Sequence, residues 1–171
     1  SLAWMMTLTE PLITVGGVQS NHARATAATA AKLGLRCHLI ANGNRPEKLT
    51  GNALLDSLLG AEVEYVAART DRVPAMKRAA ERIRAAGGNP VEVPLGASTP
   101  IGAIGFVRAL GELLGQGVRP DVIVHATSSG GTQAGLTAGC ALHGLSARVI
   151  GVSADDPAAD VEQQVRSIID G

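Results

Sequence analysis

Short apolar runs rich in β-branched residues alternate along this chain with longer segments whose apolar positions recur at helical spacing. The runs predict strands at 12–15, 36–40, 63–66, 122–126 and 149–152. The longer segments predict helices at 21–33, 51–59, 74–86, 99–115, 131–143 and 157–168. Lys32-Leu33-Gly34 reads as a helix end with glycine just past it, and Ala86-Gly87-Gly88-Asn89-Pro90 as a stop and turn. Strands alternating with helices predict an α/β fold, with helices on both faces of parallel sheets in a three-layer αβα arrangement. Val122-Ile123-Val124 is apolar on both faces, as a strand buried on both sides would be.

A run of two prolines and two glycines at 93–102 marks the best internal boundary. It predicts two lobes, residues 1–100 and 101–171, joined near 94–105. Both ends of the sequence are abrupt, so the expectation is a piece from the middle of a longer protein.

Composition narrows the classes. Hydrophobic residues make up 46% of the 171 positions, which is globular and not disordered. Trp4, Tyr65 and Phe106 are the only aromatics, too few for a single-stranded nucleic-acid platform. Fifteen basic and fifteen acidic residues cancel, so no general pull toward nucleic acid or anionic membrane is expected. There is no transmembrane run, and Ser1–Thr7 is too short and lacks the basic start of a signal peptide, so a cytoplasmic chain is expected. Cys37 and Cys140 read as buried reduced thiols, and the scattered histidines predict no metal site. His38 and His125 read as interior strand residues. Asp155-Asp156 before Pro157 reads as a loop and cap pair, and Arg78, Arg82 and Arg84 with Glu81 as a solvated helix face.

The candidate chemistry lies where strands turn into helices. The run Gly16-Gly17-Val18-Gln19-Ser20-Asn21-His22 places a hydroxyl, two amides and an imidazole at a helix N-terminus. Such an end attracts anions, because its first amides lack carbonyl partners and the helix dipole is positive there. Ser20 Oγ with the amides of Asn21 and His22 could hold a carboxylate; a plain N-cap is the alternative. The run Ser128-Ser129-Gly130-Gly131-Thr132 opens the helix at 131 with consecutive N–H groups and a hydroxyl, which suits a phosphate. It matches neither a dinucleotide nor a Walker fingerprint, and a closely packed glycine turn is the alternative. A third run, 95–105, reads as a hinge with a Ser98 or Thr99 cap.

Together these segments resemble the D-cysteine desulfhydrase / 1-aminocyclopropane-1-carboxylate deaminase family of pyridoxal-phosphate (PLP) enzymes. The matching text is Gly16–His22 with AATAAKLGL at 27–35, GASTPIGAIGF at 96–106, SSGGTQAGL at 128–136 and VIGV at 149–152. The resemblance implies fold type II, the tryptophan-synthase-β-like fold, with residues 1–100 as the small lobe and 101–171 as part of the large lobe. It implies that Asn21 hydrogen-bonds the phenolic oxygen of PLP. Ser20, with neighbouring amides and Gln19, would hold the substrate carboxylate or take part in proton transfer, and His22 completes the implied catalytic set. Ser129, Gly130, Gly131 and Thr132 would cradle the cofactor phosphate. The implied reaction is β-elimination from D-cysteine to pyruvate, ammonia and sulfide, or deamination of aminocyclopropane carboxylate. The substrate would be a small amino acid, and the full-length protein a homodimer. The family's Schiff-base lysine lies upstream of the first motif in a segment without a counterpart here. Lys32, Lys48 and Lys77 match no such motif, so the chain by itself is expected to be inactive. The other expectation is a non-catalytic binding or assembly module that keeps the fold.

Overall fold

A computed structural model of the chain describes residues 10–154 and 156–171. The leader reading of Ser1–Thr7 and the Asp155 half of the acidic pair lie outside the described residues. The chain forms two compact units, divided between Leu95 and Gly96.

The first unit carries β1 (Leu12–Gly17), α1 (Asn21–Leu33), β2 (Cys37–Asn42), α2 (Gly51–Leu58), β3 (Glu62–Val66), α3 (Arg72–Ala85) and β4 (Val91–Val93). Its four strands are parallel, in the order β3-β2-β1-β4. The chain thus winds outward from β1 to β3 and returns to the other side of β1. That reversal makes the carboxyl ends of β1 and β4 a topological switch point, where open α/β sheets form a crevice. Strand alternation sorts the core. Ile13, Val15 and Ile40 meet Ala75, Met76, Ala79 and Ala80 of α3 on one face. Cys37 and Leu39, with Leu12 beside them, meet Ala23, Ala27 and Ala30 of α1 on the other. Alanine on the inward stripes lets both helices lie close to the sheet, so this unit is the expected αβα sandwich.

The strand β4 is absent from the sequence expectations. Three residues between Pro90 and Pro94 carry too little periodicity to show, and the pairing with β1 supplies the stability that propensity does not. Arg78, Glu81, Arg82 and Arg84 are exposed, as a solvated helix face requires, and Arg82 and Arg84 in addition pair with Glu64 at 2.8 Å and Glu92 at 2.6 Å. His38 lies within 3.6 Å of Glu62 and 3.5 Å of Glu64.

The second unit carries α4 (Pro100–Gly115), β5 (Val122–Thr127), α5 (Gly131–Leu142), β6 (Arg148–Ser153) and α6 (Ala158–Asp170). β5 and β6 pair in parallel. Ala103, Ala134 and Ile168 join the three helices in one cluster. Gly135 and Gly139 make the α4–α5 approach possible. A Cβ on Gly135 would collide with the Ala103 carbonyl and lie 2.7 Å from Phe106 Cβ, and one on Gly139 would lie 3.1 Å from Leu110 Cδ2. The expected burial of β5 on both faces is not found. Val124 is 64% exposed and Val152 58%; exposure alternates along both strands, so one face of this sheet is covered and the other is open.

Cys37 and Cys140 are buried and free. Burial, with the Asp56 charge added, pushes the Cys37 thiol up to about 11, so it stays protonated. No helix among the described residues is long and apolar enough to cross a membrane.

Asp56, on α2, is the unusual core residue. It is 4% exposed, and its Oδ1 has no hydrogen-bond partner. It borders a small void with Gly16, Gly17, Val18 and Tyr65. Burial pushes its carboxyl from 3.8 up to about 6, with Arg24 pulling weakly the other way. The folded state therefore keeps a proton that the unfolded chain has already released. The group is most favourable to folding below about pH 4, and that contribution is lost as the pH rises through about 6. Asp56→Asn should gain stability relative to wild type as pH rises from about 4 to 7. The gain should approach the ~3 kcal/mol that a shift of this size represents. Denaturant unfolding across that pH range measures it; parallel stability curves for the two proteins would refute it.

Candidate active site

β1 ends at the switch point in two glycines, and α1 begins after three intervening residues. The turn is tight: Ser20 N–H donates to Gly17 O at 3.0 Å. Only glycine fits at position 16, where a Cβ would sit 2.7 Å from both Cβ and Oγ of Ser20. Ser20 is the N-cap of α1, and its Oγ accepts from Ala23 N–H at 3.1 Å. Arg24 N–H donates to Ser20 O. The amides of Asn21 and His22 precede these and have no carbonyl within the helix to receive them. The cap is thus real, and it coexists with the two amides a carboxylate would use.

Asn52, which the sequence reading passed over, organises this turn. Its Nδ2 donates to Gln19 O at 2.8 Å and to Asn21 Oδ1 at 3.0 Å. With Oδ1 occupied, the Asn21 amide is oriented and its Nδ2 remains a donor. Gln19 Oε1 accepts from Asn52 N–H at 2.8 Å, and Gln19 Nε2 donates to Thr50 O at 3.1 Å. Both polar ends of the Gln19 side chain are therefore spent on the start of α2, and it braces the turn. A glycine-asparagine pair opening a helix, at 51–52, was the available sequence signal.

His22 is half-buried, and desolvation lowers its pKa below the ordinary histidine value, favouring the neutral ring. Its Nε2 lies 2.7 Å from Thr14 Oγ1, a contact no sequence pattern announced.

The second unit's junction runs from β5 through Ser128 and Ser129 to the left-handed Gly130, the N-cap of α5, at φ 80°. A Cβ there would lie 3.2 Å from Val165 Cγ2, so the left-handed backbone favours glycine and the space beside it is tight. Ser128 Oγ donates to Asp156 Oδ2 at 3.0 Å, and Asp156 N–H donates to Ser153 Oγ at 3.0 Å, which ties the loop to the end of β6. Ser98 reaches the same loop. Its Oγ donates to Ser129 Oγ at 2.7 Å and accepts from Gly131 N–H at 3.2 Å. The expected Ser98 hinge cap is thus a brace of this loop, while Thr99 caps α4 through Gly102 N–H. The Gly131 amide is consumed internally, leaving those of Thr132 and Gln133 without helix carbonyls before Ala134 N–H meets Gly130 O.

This loop fits a phosphate. Consecutive first-turn amides, a hydroxyl at Thr132 and a backbone kept bare by glycine form an acceptor-poor, donor-rich end. Ser98→Ala should cost about 1–2 kcal/mol, because Gly131 N–H is left buried without a partner. Thermal unfolding checks the cost; a change within error would show that the brace is dispensable.

The profile of the family described as "Pyridoxal-phosphate dependent enzyme" matches residues 8–171. A protein named 1-aminocyclopropane-1-carboxylate deaminase from Mesorhizobium japonicum is 39% identical over 171 residues, covering 93% of this chain and 51% of the relative. A protein of the same name from Ralstonia nicotianae is 38% identical over 171 residues, with the same coverage. The solved structure titled "Crystal Structure Analysis of the ACC deaminase homologue" superposes with a TM-score of 0.87 at 34% identity, covering 98% of this chain and 52% of that one. A threonine deaminase structure at 21% identity and TM-score 0.63 shares the fold. The chain spans about half the length of the curated relatives it matches.

Proposed function

Because the chain belongs to the pyridoxal-phosphate-dependent enzyme family, we propose that it forms part of an enzyme that deaminates a small amino acid, with aminocyclopropane carboxylate as the preferred substrate. The proposal rests on one observation above others: each unit carries a strand-to-helix junction that retains two amides without helix partners and a hydroxyl beside them. A PLP enzyme acting on an amino acid must hold two anions, the cofactor phosphate and the substrate carboxylate.

In this reading, the Thr132 and Gln133 amides, the Thr132 hydroxyl and Ser129 hold the phosphate on the Gly130 turn. Ser20 and the amides of Asn21 and His22 hold the carboxylate. The Ser20 hydroxyl accepts from Ala23 N–H and still has its own proton to donate. Asn21 Nδ2, freed by Asn52, donates to the cofactor's phenolic oxygen. When bound, PLP would supply the electron sink for charge left on the substrate when a bond breaks: the ring opens in aminocyclopropane carboxylate, whose Cα carries no hydrogen, whereas in D-cysteine the Cα–H bond breaks. The protein's part is to orient the carboxylate and to place donors where negative charge gathers.

Names of relatives favour aminocyclopropane carboxylate; D-cysteine desulfhydration is the runner-up on the sequence motifs. Lys32, Lys48 and Lys77 are exposed and none hydrogen-bonds to either junction, so residues 1–171 alone should not turn over an amino acid. Reconstituted with PLP in the full-length protein, the enzyme should release ammonia from aminocyclopropane carboxylate without sulfide from D-cysteine. Sulfide release alone would reassign the substrate. Thr132→Val should weaken PLP binding about tenfold, the loss of one charge-assisted hydrogen bond, while Ser20→Ala should raise KM for the amino acid with PLP affinity unchanged. Failure of both substitutions to alter either binding would remove the anion-site assignment.

A further inference from the structure

Thr14 lies in the middle of β1, is 0% exposed, and is flanked by the core residues Ile13 and Val15. A hydroxyl at such a position is unfavourable unless its hydrogen bonds are made. Both are. Thr14 Oγ1 donates to the carbonyl of Val93, at the end of β4, at 2.8 Å, and lies 2.7 Å from His22 Nε2. These contacts join β1, β4 and the first turn of α1 at the switch point.

A threonine hydroxyl has one proton. The Val93 carbonyl can only accept, so that proton points to it. Thr14 Oγ1 must then be the acceptor toward His22, and the hydrogen must sit on His22 Nε2. The order is His22 Nε2–H to Thr14 Oγ1, then Thr14 O–H to Val93 O. In the neutral ring, Nδ1 is consequently the bare nitrogen, and it makes no hydrogen bond within the described residues.

We propose that Thr14 is a positioning residue that locks His22 as its Nε2–H tautomer, so that Nδ1 is a neutral acceptor next to Asn21 for an N–H of the bound amino acid. The functional half of this inference rests on the carboxylate site proposed above; the tautomer does not. Without Thr14 the imidazole could exchange its two nitrogens' roles and offer a donor where an acceptor is needed.

Nitrogen-15 NMR of the full chain tests the tautomer without any cofactor. His22 should show a protonated Nε2 and an unprotonated Nδ1. Thr14→Val should mix or invert the assignment, and Thr14→Ser should restore it. A wild-type ring protonated on Nδ1, or a Thr14→Val protein with the wild-type pattern, overturns the lock. If Thr14→Val does not fold, the wild-type and Thr14→Ser spectra decide alone. In the full-length holoenzyme, Thr14→Val should lower kcat by about tenfold, as losses of outer supporting bonds do, and leave PLP affinity unchanged. Recovery of kcat by Thr14→Ser supports the positioning role; equal kcat in Thr14→Val and wild type removes it. Loss of the proposed activity in wild type, with the Nε2–H tautomer intact, would instead count against the functional reading.

Discussion

A helix cannot satisfy its own first amides, and the local architecture of this chain is organised around where those amides go. At α1 the cap Ser20 takes Ala23 N–H on its side chain and Arg24 N–H on its carbonyl. At α5 the glycine cap has no side chain to offer, so Ser98 takes Gly131 N–H and Gly130 O takes Ala134 N–H. In both cases some donors are spent on holding the turn and two are left over. Holding the turn and leaving donors free are coupled: a loop with all its amides satisfied would be inert, and one with none satisfied would not hold a shape.

Small residues make these junctions possible. Gly16 allows the β1 backbone to pass against Ser20, and the alanine stripes of α1 and α3 let the helices approach both faces of the sheet. The same economy governs the second unit, where Gly135 and Gly139 admit α4 to the surface of α5. With three aromatic residues in the sequence, the core has little bulk to fill irregular gaps, so close backbone approach replaces large side chains. A cost is visible at Asp56, whose carboxyl lies behind the Gly16–Gly17 turn with one oxygen unpartnered.

Most of the elements were legible because they repeat a strong signal. A β-branched run followed by a polar, glycine-containing turn and an alanine-rich periodic segment predicts strand, junction and helix together, and the observed bounds of β1, α1 and β5 differ from expectation by two residues at most. β4 was hidden because a three-residue strand is defined by its neighbour and not by its own pattern. The exposure of Val124 and Val152 was hidden because an apolar strand reads the same whether or not its second face is covered. Of the site residues, those sitting in the junctions themselves were visible. Thr14 and Asn52 were not, and Ser98 was visible only as a hinge cap and not as a brace, since each acts on a junction from another element, and a linear sequence does not record which hydroxyl or amide folding will bring to which loop.

That division separates two kinds of polar residue. Ser20, Asn21 and Thr132 stand at helix starts, where local rules already assign a hydroxyl or amide a task. Thr14 stands where local rules would choose valine, and Asn52 makes two side-chain hydrogen bonds to a loop that does not contain it. Their polar atoms are explained only by the groups they orient: Thr14 by the His22 ring, Asn52 by the Asn21 amide. An amide whose oxygen is engaged has its nitrogen defined as the free end, and an imidazole whose Nε2 proton is engaged has its other nitrogen defined as the acceptor. The turn between β1 and α1 therefore carries a specified pattern of donors and acceptors before any ligand arrives. Preorganisation of that kind lets a site stabilise charge without reorganising at the moment of reaction.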